Sequence, residues 1–332
     1  MNIYNLLKAN RLIKSSRLKL AGILFLHKTK RRYFGIFFDP VLACNLRCQM
    51  CYFSDAEKRR QMHGKFSLEE IKKIANQFFP YALKLQIGCG AEPTLYNDIT
   101  GILNLAKQYS VPYISMTTNA NLLQKEDLRK YILAGLNEIT VSLHGVKQTT
   151  YESLMEGASY PKFLSVLSDI TELKRDFKDF KLRINYTINE DNCLELADFF
   201  DVFGKYSIDI LQLRPIQQIG QSKYGNFSHQ TLIDNYDITL GKIKEECEKR
   251  NITVICPDKA DLVKQTNNES IVFDYTYIYI SPKEVFQPDY SIEKDTYHSY
   301  CKKHGLEKNI LKRIFSKKLT SEMKTKLNYQ IK

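Results

Sequence analysis

The stretch "CNLRCQMC" places Cys44, Cys48 and Cys51 within eight residues, while the other five cysteines of the chain are scattered. Thiolates are soft ligands for zinc and for iron–sulfur clusters. At i, i+4 and i+7 the three would share one face of a helix, where buried cysteines act as small apolar residues. However, they directly follow "YFGIFFDPVL", an apolar run ending at Pro40–Leu42 that reads as a buried strand, so a loop is expected here. Zinc would need a fourth ligand from far along the chain, for instance Cys89. A local disulfide suits a cytosolic chain poorly. Three thiolates also fit an iron–sulfur cluster with one iron left without a protein ligand. An open coordination position is what a catalytic metal requires and a structural one lacks.

The elements that must position this loop alternate. "SLEEIKKIANQFF" opens on Ser67 with Glu70 three residues later, a capping box ahead of a helix. "LKLQIG" reads as a strand and "DITGILNLAKQY" as a helix. "PYISMTT" is again a strand, and "KEDLRKYILAG" a helix stopped by Gly135. "EITVSL" is followed by "PKFLSVLSDITELKR", then "KLRINYTI" by "CLELADFFDVFGKY". "IDILQL" supplies a sixth strand, "TLIDNYDITLGKIKEECEKRN" a long helix, and "ITVI" follows. Alternation of this kind implies a parallel sheet, because each crossover needs a helix to return the chain. Closed eightfold barrels take about 250 residues, so the span from residue 33 to 255 suits an open sheet or a partial barrel of six units. In either architecture reactive groups sit at the carboxyl ends of the strands. The expected organisation is a basic amphipathic segment over 1–32, the α/β body over 33–255, and a hairpin-and-helix cap with a basic tail over 256–332.

Composition narrows the class. The chain has 332 residues and eight cysteines, with 43% hydrophobic and 26% charged residues, ordinary for a globular protein. No run reaches the roughly 18–20 apolar residues that cross a bilayer. The net charge of +12 is unevenly placed: residues 1–32 carry +9 and residues 302–332 carry +8, leaving −5 for the body. The first segment, with Leu6, Leu7, Leu12, Ile13, Leu18 and Leu20, reads as an amphipathic helix, either packed on the core or touching an anionic membrane surface. The expected location is cytoplasmic, with peripheral contact at the inner membrane face. The basic ends carry no RNA-binding motif, which argues against nucleic acid as the partner.

With these residues in view, the chain resembles the radical S-adenosylmethionine (SAM) superfamily over roughly residues 34–215. Cys-x3-Cys-x2-Cys after the first strand is the most specific part. The resemblance implies one [4Fe–4S] cluster on Cys44, Cys48 and Cys51, with Met50 beside the adenine of SAM where an aromatic or bulky apolar residue is usual. "GCGAEPTLY" is similar to the Gly-Gly-Glu-Pro segment that binds the amino group of the methionine moiety. Gly90, Glu92 and Pro93 match, and Ala91 replaces the second glycine, which would add strain if that position needed a positive φ or a close backbone approach. "TTNANLL" resembles the third-strand segment, with Asn119 at its turn. "VSLHG" resembles the fourth-strand segment, with Ser142 near the ribose or carboxylate and His144 in place of aspartate. "LRINYTINEDN" and "LQLRPIQQIG", the latter carrying Leu213, resemble the strand ends that finish the adenine pocket. Taken singly, each has a plain structural reading: a tight βα turn at Gly-Cys-Gly, a helix cap at Glu92, an ordinary strand end at Ser142 and His144.

The implied chemistry is reductive cleavage of SAM to methionine and a 5′-deoxyadenosyl radical, which abstracts hydrogen from a peptide or carbohydrate substrate. A flavodoxin or ferredoxin-type reductant is implied as partner. The C-terminal part weakly resembles a degenerate SPASM-type extension, in which Phe286, Pro288 and Tyr290 stand where cysteines for an auxiliary cluster are usual, so a single cluster is expected. Two other classes compete: an iron–sulfur redox or sensor protein without SAM turnover, suggested by Ala91, and a basic membrane or nucleic-acid adaptor with a structural metal. Cys89, Cys193 and Cys247 are expected in the core.

Overall fold

A computed structural model describes residues 12–217, 222, 224, 225, 227–264, 271–316 and 319. The chain divides into two compact units. The first comprises residues 1–42, 63–115 and 268–330, and the second 43–62, 116–267 and 331–332.

In the first unit, β1 (Phe34–Phe38) pairs in parallel with β2 (Ala82–Ile87) on one side. On its other side it pairs in parallel with β8 (Tyr277–Ser281), which turns back antiparallel into β9 (Glu284–Val285). The hairpin expected in "YIYISPKEV" is present, and its first strand also extends the sheet beyond β1. Alternate residues of β1, Phe34, Ile36 and Phe38, are fully buried, as a period of two requires. Helix α1 (Ser16–Lys28) buries Leu20, Ile23 and His27. Its Arg17 donates to the Ser316 carbonyl at 3.0 Å, and Lys28 lies 3.6 Å from Glu307, tying it to the C-terminal helix Leu306–Phe315. The expected apolar stripe is therefore narrower than the sequence suggested. Leu18 is 61% exposed, Leu12 is 82% exposed, and Leu6 and Leu7 lie outside the described residues. Among the described residues, no helix is long and apolar enough to cross a membrane.

Helix α2 (Leu68–Phe78) begins at the anticipated capping box, with both reciprocal bonds between Ser67 and Glu70 present. Ser67→Ala removes one of them, and urea denaturation is expected to read a loss of about 1 kcal/mol. An unchanged midpoint would show that the cap contributes nothing. An aromatic cluster joins α2 to the C-terminal segment: Phe78 packs edge-on to Phe286, Tyr290 and Tyr297 with centroids 5.5–5.6 Å apart, and Phe34 meets Tyr297 at 5.2 Å. Residues Phe286 and Tyr290 of "VFQPDY" thus serve as core.

After β3 (Ile114–Thr118) in the chain come the strands of the second unit, where β4 (Glu138–Leu143), β5 (Lys181–Ile188), β6 (Ile210–Pro215) and β7 (Thr253–Ile255) lie side by side in that order, all parallel. Ser142, Asn185 and Gln212 are in register, so their side chains share a face, as do Leu143, Tyr186 and Leu213 on the opposite one. The apolar face is fully buried. The other carries Glu138, Thr140, Ser142, Arg183, Asn185, Thr187, Gln212 and Arg214, a polar lining unusual for parallel strands buried on both sides.

Two expected helices break up. "CLELADFFDVFGKY" folds as a 3-10 turn, Leu194–Asp198, and one short helix, Phe199–Phe203. "TLIDNYDITLGKIKEECEKRN" splits into Gln230–Asp234 and Lys242–Lys249 around a π turn at Asp237–Gly241. There the buried Thr239 hydroxyl donates to the Asn235 carbonyl at 2.7 Å, and the Gly241 amide reaches the Tyr236 carbonyl at 2.9 Å. A side chain that bonds back to the preceding turn competes with regular helix geometry.

Candidate active site

The three-cysteine stretch in the second unit is not helical. The amides of Arg47 and Gln49 donate to the carbonyls of Glu156 and Leu154 at 2.8 and 2.9 Å. The Gln49 carbonyl accepts from the Tyr224 amide at 3.0 Å, and its side-chain amide donates to the Ser153 carbonyl at 2.9 Å. Arg47 Nη1 closes the loop on itself by donating to the Cys44 and Leu46 carbonyls at 2.7 Å. A connection without regular structure is therefore fixed by hydrogen bonds at several points along its length.

None of the three cysteines is in a disulfide, and each is half-buried. Cys44 Sγ faces two donors, the Leu46 amide at 3.4 Å and Asn119 Nδ2 at 3.9 Å, and Asn119 Nδ2 also donates to Asn45 Oδ1 at 2.8 Å. Donors aimed at sulfur stabilise negative charge there, as ligating thiolates require. Burial pushes the Cys51 thiol up to about 11, against two nearby backbone donors; a bound metal offsets that by stabilising the deprotonated ligand. Among the described residues no three His, Cys, Asp or Glu side chains are gathered closely enough for one metal ion. Cysteine thiols with N–H donors aimed at one of the sulfurs are a donor set that fits an iron–sulfur cluster.

Asn119 is presented by Ala120, which has a positive φ of 66° in a fully buried position. That conformation is costly for a residue with a Cβ and is found where surrounding structure enforces it. Met50 is buried with Leu154 and Ile216 beneath Tyr224 and Phe227. Its sulfur receives Asn189 Nδ2 at 3.1 Å. Asn189 and Asn192 bond each other's loop, and Asn192 Nδ2 donates to the His144 and Thr187 carbonyls, both at 2.8 Å. These two asparagines lie in "NEDN", where the sequence offered a strand end but no individual residue. Ser142 lies on the polar face; Leu213 lies on the other, so its side chain does not join Ser142.

His144 Nδ1 is buried without a hydrogen-bond partner in the described structure. Burial pulls its pKa down to about 4, and His298 in the first unit is likewise lowered to about 4. Both imidazoles are neutral at pH 7. Because the folded-state values lie below the unfolded value near 6.5, their contribution to stability is full above about pH 6.5 and is lost as pH falls toward 4. Melting temperatures measured across that window should drop, and His144→Phe should flatten the slope. An unaltered slope would contradict the assignment.

The segment after β2 belongs to the first unit. Gly88 has a positive φ of 78°, whereas neither Gly90 nor Ala91 does. Ala91 therefore carries no left-handed strain, and the left-handed position is Gly88. Glu92 is 2% exposed, and its Oε1 accepts from the Thr94 amide at 3.1 Å and hydroxyl at 2.6 Å, capping the turn that starts at Pro93. Asp39, at the end of β1 and 1% exposed, accepts the Cys89 amide at 2.7 Å, the Gly90 amide at 2.9 Å and the Tyr279 hydroxyl at 2.7 Å. Burial raises its pKa, and these bonds with one from Ala91 oppose the rise. Cys89 is half-buried and donates to the Gln86 carbonyl at 3.7 Å; burial and then Asp39 hold its thiol well above the ordinary value. Cys193 and Cys247 are core residues.

Residues 40–199 match the family model of the Radical SAM superfamily. A Sulfolobus acidocaldarius protein named "Probable GTP 3',8-cyclase" is 27% identical over 208 residues, 62% of this chain and 62% of its own length. The chain thus spans about three fifths of that relative. Streptococcus suis SuiB bound to S-adenosylmethionine is similar in structure with a TM-score of 0.61 at 17% identity, over 81% of this chain and 66% of SuiB. SuiB bound to its precursor peptide SuiA gives 0.63 at 17% identity, over 90% of this chain and 69% of SuiB. The likeness identifies the fold as an α/β partial (β/α)6 barrel of the TIM type.

Proposed function

We propose that this chain is a radical SAM enzyme, which cleaves SAM reductively at one [4Fe–4S] cluster and directs the radical at a peptide. The observation that carries the proposal is the non-helical loop of three cysteines, fixed by hydrogen bonds, with two N–H donors on Cys44 Sγ. Cys44, Cys48 and Cys51 hold the cluster. When bound, cluster and SAM together supply a 5′-deoxyadenosyl radical that abstracts hydrogen from an unactivated position.

The remaining roles belong to the chain's own side chains. Asn119 donates to Cys44 and holds Asn45, keeping the loop's first ligand oriented. Met50, held by Asn189, offers an apolar sulfur surface beside adenine. Gly90, Ala91, Glu92 and Pro93 form the segment for the methionine amino group, and Ser142 meets the ribose or carboxylate. Leu213 contributes backbone alone, since its side chain is on the other face.

Peptide is preferred to carbohydrate because SuiB, whose likeness extends over 90% of this chain, is known with a precursor peptide. A second reading, a purine nucleoside triphosphate, is favoured by the cyclase relative. Against a sensor without SAM turnover stands the backbone of Ala91, which has no positive φ. Segments 1–32, 33–255 and 256–332 act as basic arm, catalytic body and SPASM-like cap, a flavodoxin or ferredoxin delivers the electron, and the basic ends touch an anionic membrane surface.

Anaerobic reconstitution should give about four irons and four sulfides per chain; about eight would require a second cluster. Incubation with candidate peptides encoded beside the gene should give a mass loss or cross-link, whereas product from GTP alone would replace peptide by nucleotide.

A further inference from the structure

Asp39 is a buried carboxylate whose two oxygens gather amides from the turn after β2 and one hydroxyl from β8. We propose that Asp39 and Tyr279 form a latch that presets the Gly88–Glu92 turn to receive the ammonium group of SAM. This deepens the radical SAM reading and rests on it. Both are positioning residues.

The argument follows from peptide geometry. In a trans peptide the N–H of one residue points opposite to the C=O of the residue before it. With the Cys89 and Gly90 amides drawn onto Asp39, the carbonyls of Gly88 and Cys89 are turned away from it. Ala91 also bonds to Asp39, which turns the Gly90 carbonyl in the same way. Successive amides converging on one anion form a nest, and a nest with a fixed internal anion displays its carbonyls to the other side. Carbonyl oxygens turned to that side are acceptors for an ammonium group and would repel a carboxylate. Gly88, at φ +78°, is the residue that lets the chain enter this turn.

Tyr279 makes the latch depend on the C-terminal segment. β8 lies parallel to β1 with Phe37 opposite Tyr279 and Phe38 opposite Ile280. The Asp39 amide donates to the Ile280 carbonyl at 2.9 Å. The Tyr279 hydroxyl supplies a donor that keeps the carboxylate from turning off the amides. A strand from residue 277 onward thereby sets the geometry of a turn at residue 88, without any contact to SAM itself.

The test is equilibrium binding of SAM to the cluster-loaded, oxidised protein, which does not turn over. 5′-Methylthioadenosine, which lacks the ammonium group, is the comparison ligand. Asp39→Asn keeps shape but replaces one acceptor by a donor, and should weaken SAM about tenfold; Tyr279→Phe should weaken it about threefold. Affinity for 5′-methylthioadenosine and iron content should stay within about twofold of the parent in both variants. Equal weakening of both ligands marks a merely structural role and overturns the latch. So does an unchanged SAM affinity in Asp39→Asn. Absence of SAM binding by the parent overturns the family reading, and the latch with it.

Discussion

Cys44→Ala is expected to take bound iron from about four per chain to below about one, and to bring 5′-deoxyadenosine down to the level of the buffer blank. The surroundings of Cys44, a proposed ligand, support that role. Its sulfur faces the Leu46 amide and Asn119 Nδ2, and its carbonyl is held by Arg47. Two thiolates cannot replace three, because the cluster already leaves one iron without a protein ligand. Cys247→Ala is the control: it removes a fully buried thiol of the helix Lys242–Lys249 and should leave iron content unchanged. Iron and activity retained in Cys44→Ala would refute the assignment of the loop.

The second large effect concerns stability. Glu138 is 1% exposed, and the Arg183 guanidinium lies 2.9 Å from one of its oxygens and 3.2 Å from the other. Arg183 Nη1 also donates to Gln212 Oε1 at 3.2 Å, so the group bridges β4, β5 and β6. Removing one member leaves a buried charge without its counter-ion, and Glu138→Ala should cost about 3–5 kcal/mol. The double variant Glu138→Leu/Arg183→Met removes both charges and should recover most of that loss. Chemical denaturation of the parent, the single and the double variants measures this directly. A single variant within about 0.5 kcal/mol of the parent would mean that the pair is solvated rather than buried.

The βα alternation was legible because strand and helix periods are local properties: β1 to β7 and the capping box at Ser67 sit where the pattern put them. The three-cysteine loop was legible for a similar reason, since its residues are adjacent in sequence. Contacts between distant residues were not. Nothing in "YTYIYISP" announces that β8 runs parallel to β1, about 240 residues earlier, and so the partners of Asp39 stayed hidden. Ala91 looked strained because a family pattern has glycine there, whereas the positive φ belongs to Gly88, just outside the matched segment. Leu213 looked like a pocket residue because its strand end is in the right place, but strand alternation puts its side chain on the apolar face. The helical reading of residues 231–251 failed at Thr239, whose hydroxyl bonds to the backbone of the preceding turn.

The basic arm illustrates the same limit. A helix was readable from its leucines, but which of them face the core depends on the helix Leu306–Phe315, at the other end of the chain. Leu20 and Ile23 are buried while Leu18 and Phe25 stay exposed beside Arg17 and Lys19.

The central claim is that three cysteines hold a cluster at which SAM is cleaved. Anaerobically reconstituted protein, reduced with dithionite and given SAM, tests it without knowledge of the substrate, because uncoupled cleavage releases 5′-deoxyadenosine. The account predicts 5′-deoxyadenosine and methionine in equal amounts, rising with time and abolished in Cys44→Ala. Reduced, fully loaded protein that bound SAM and released no 5′-deoxyadenosine above the blank would contradict it.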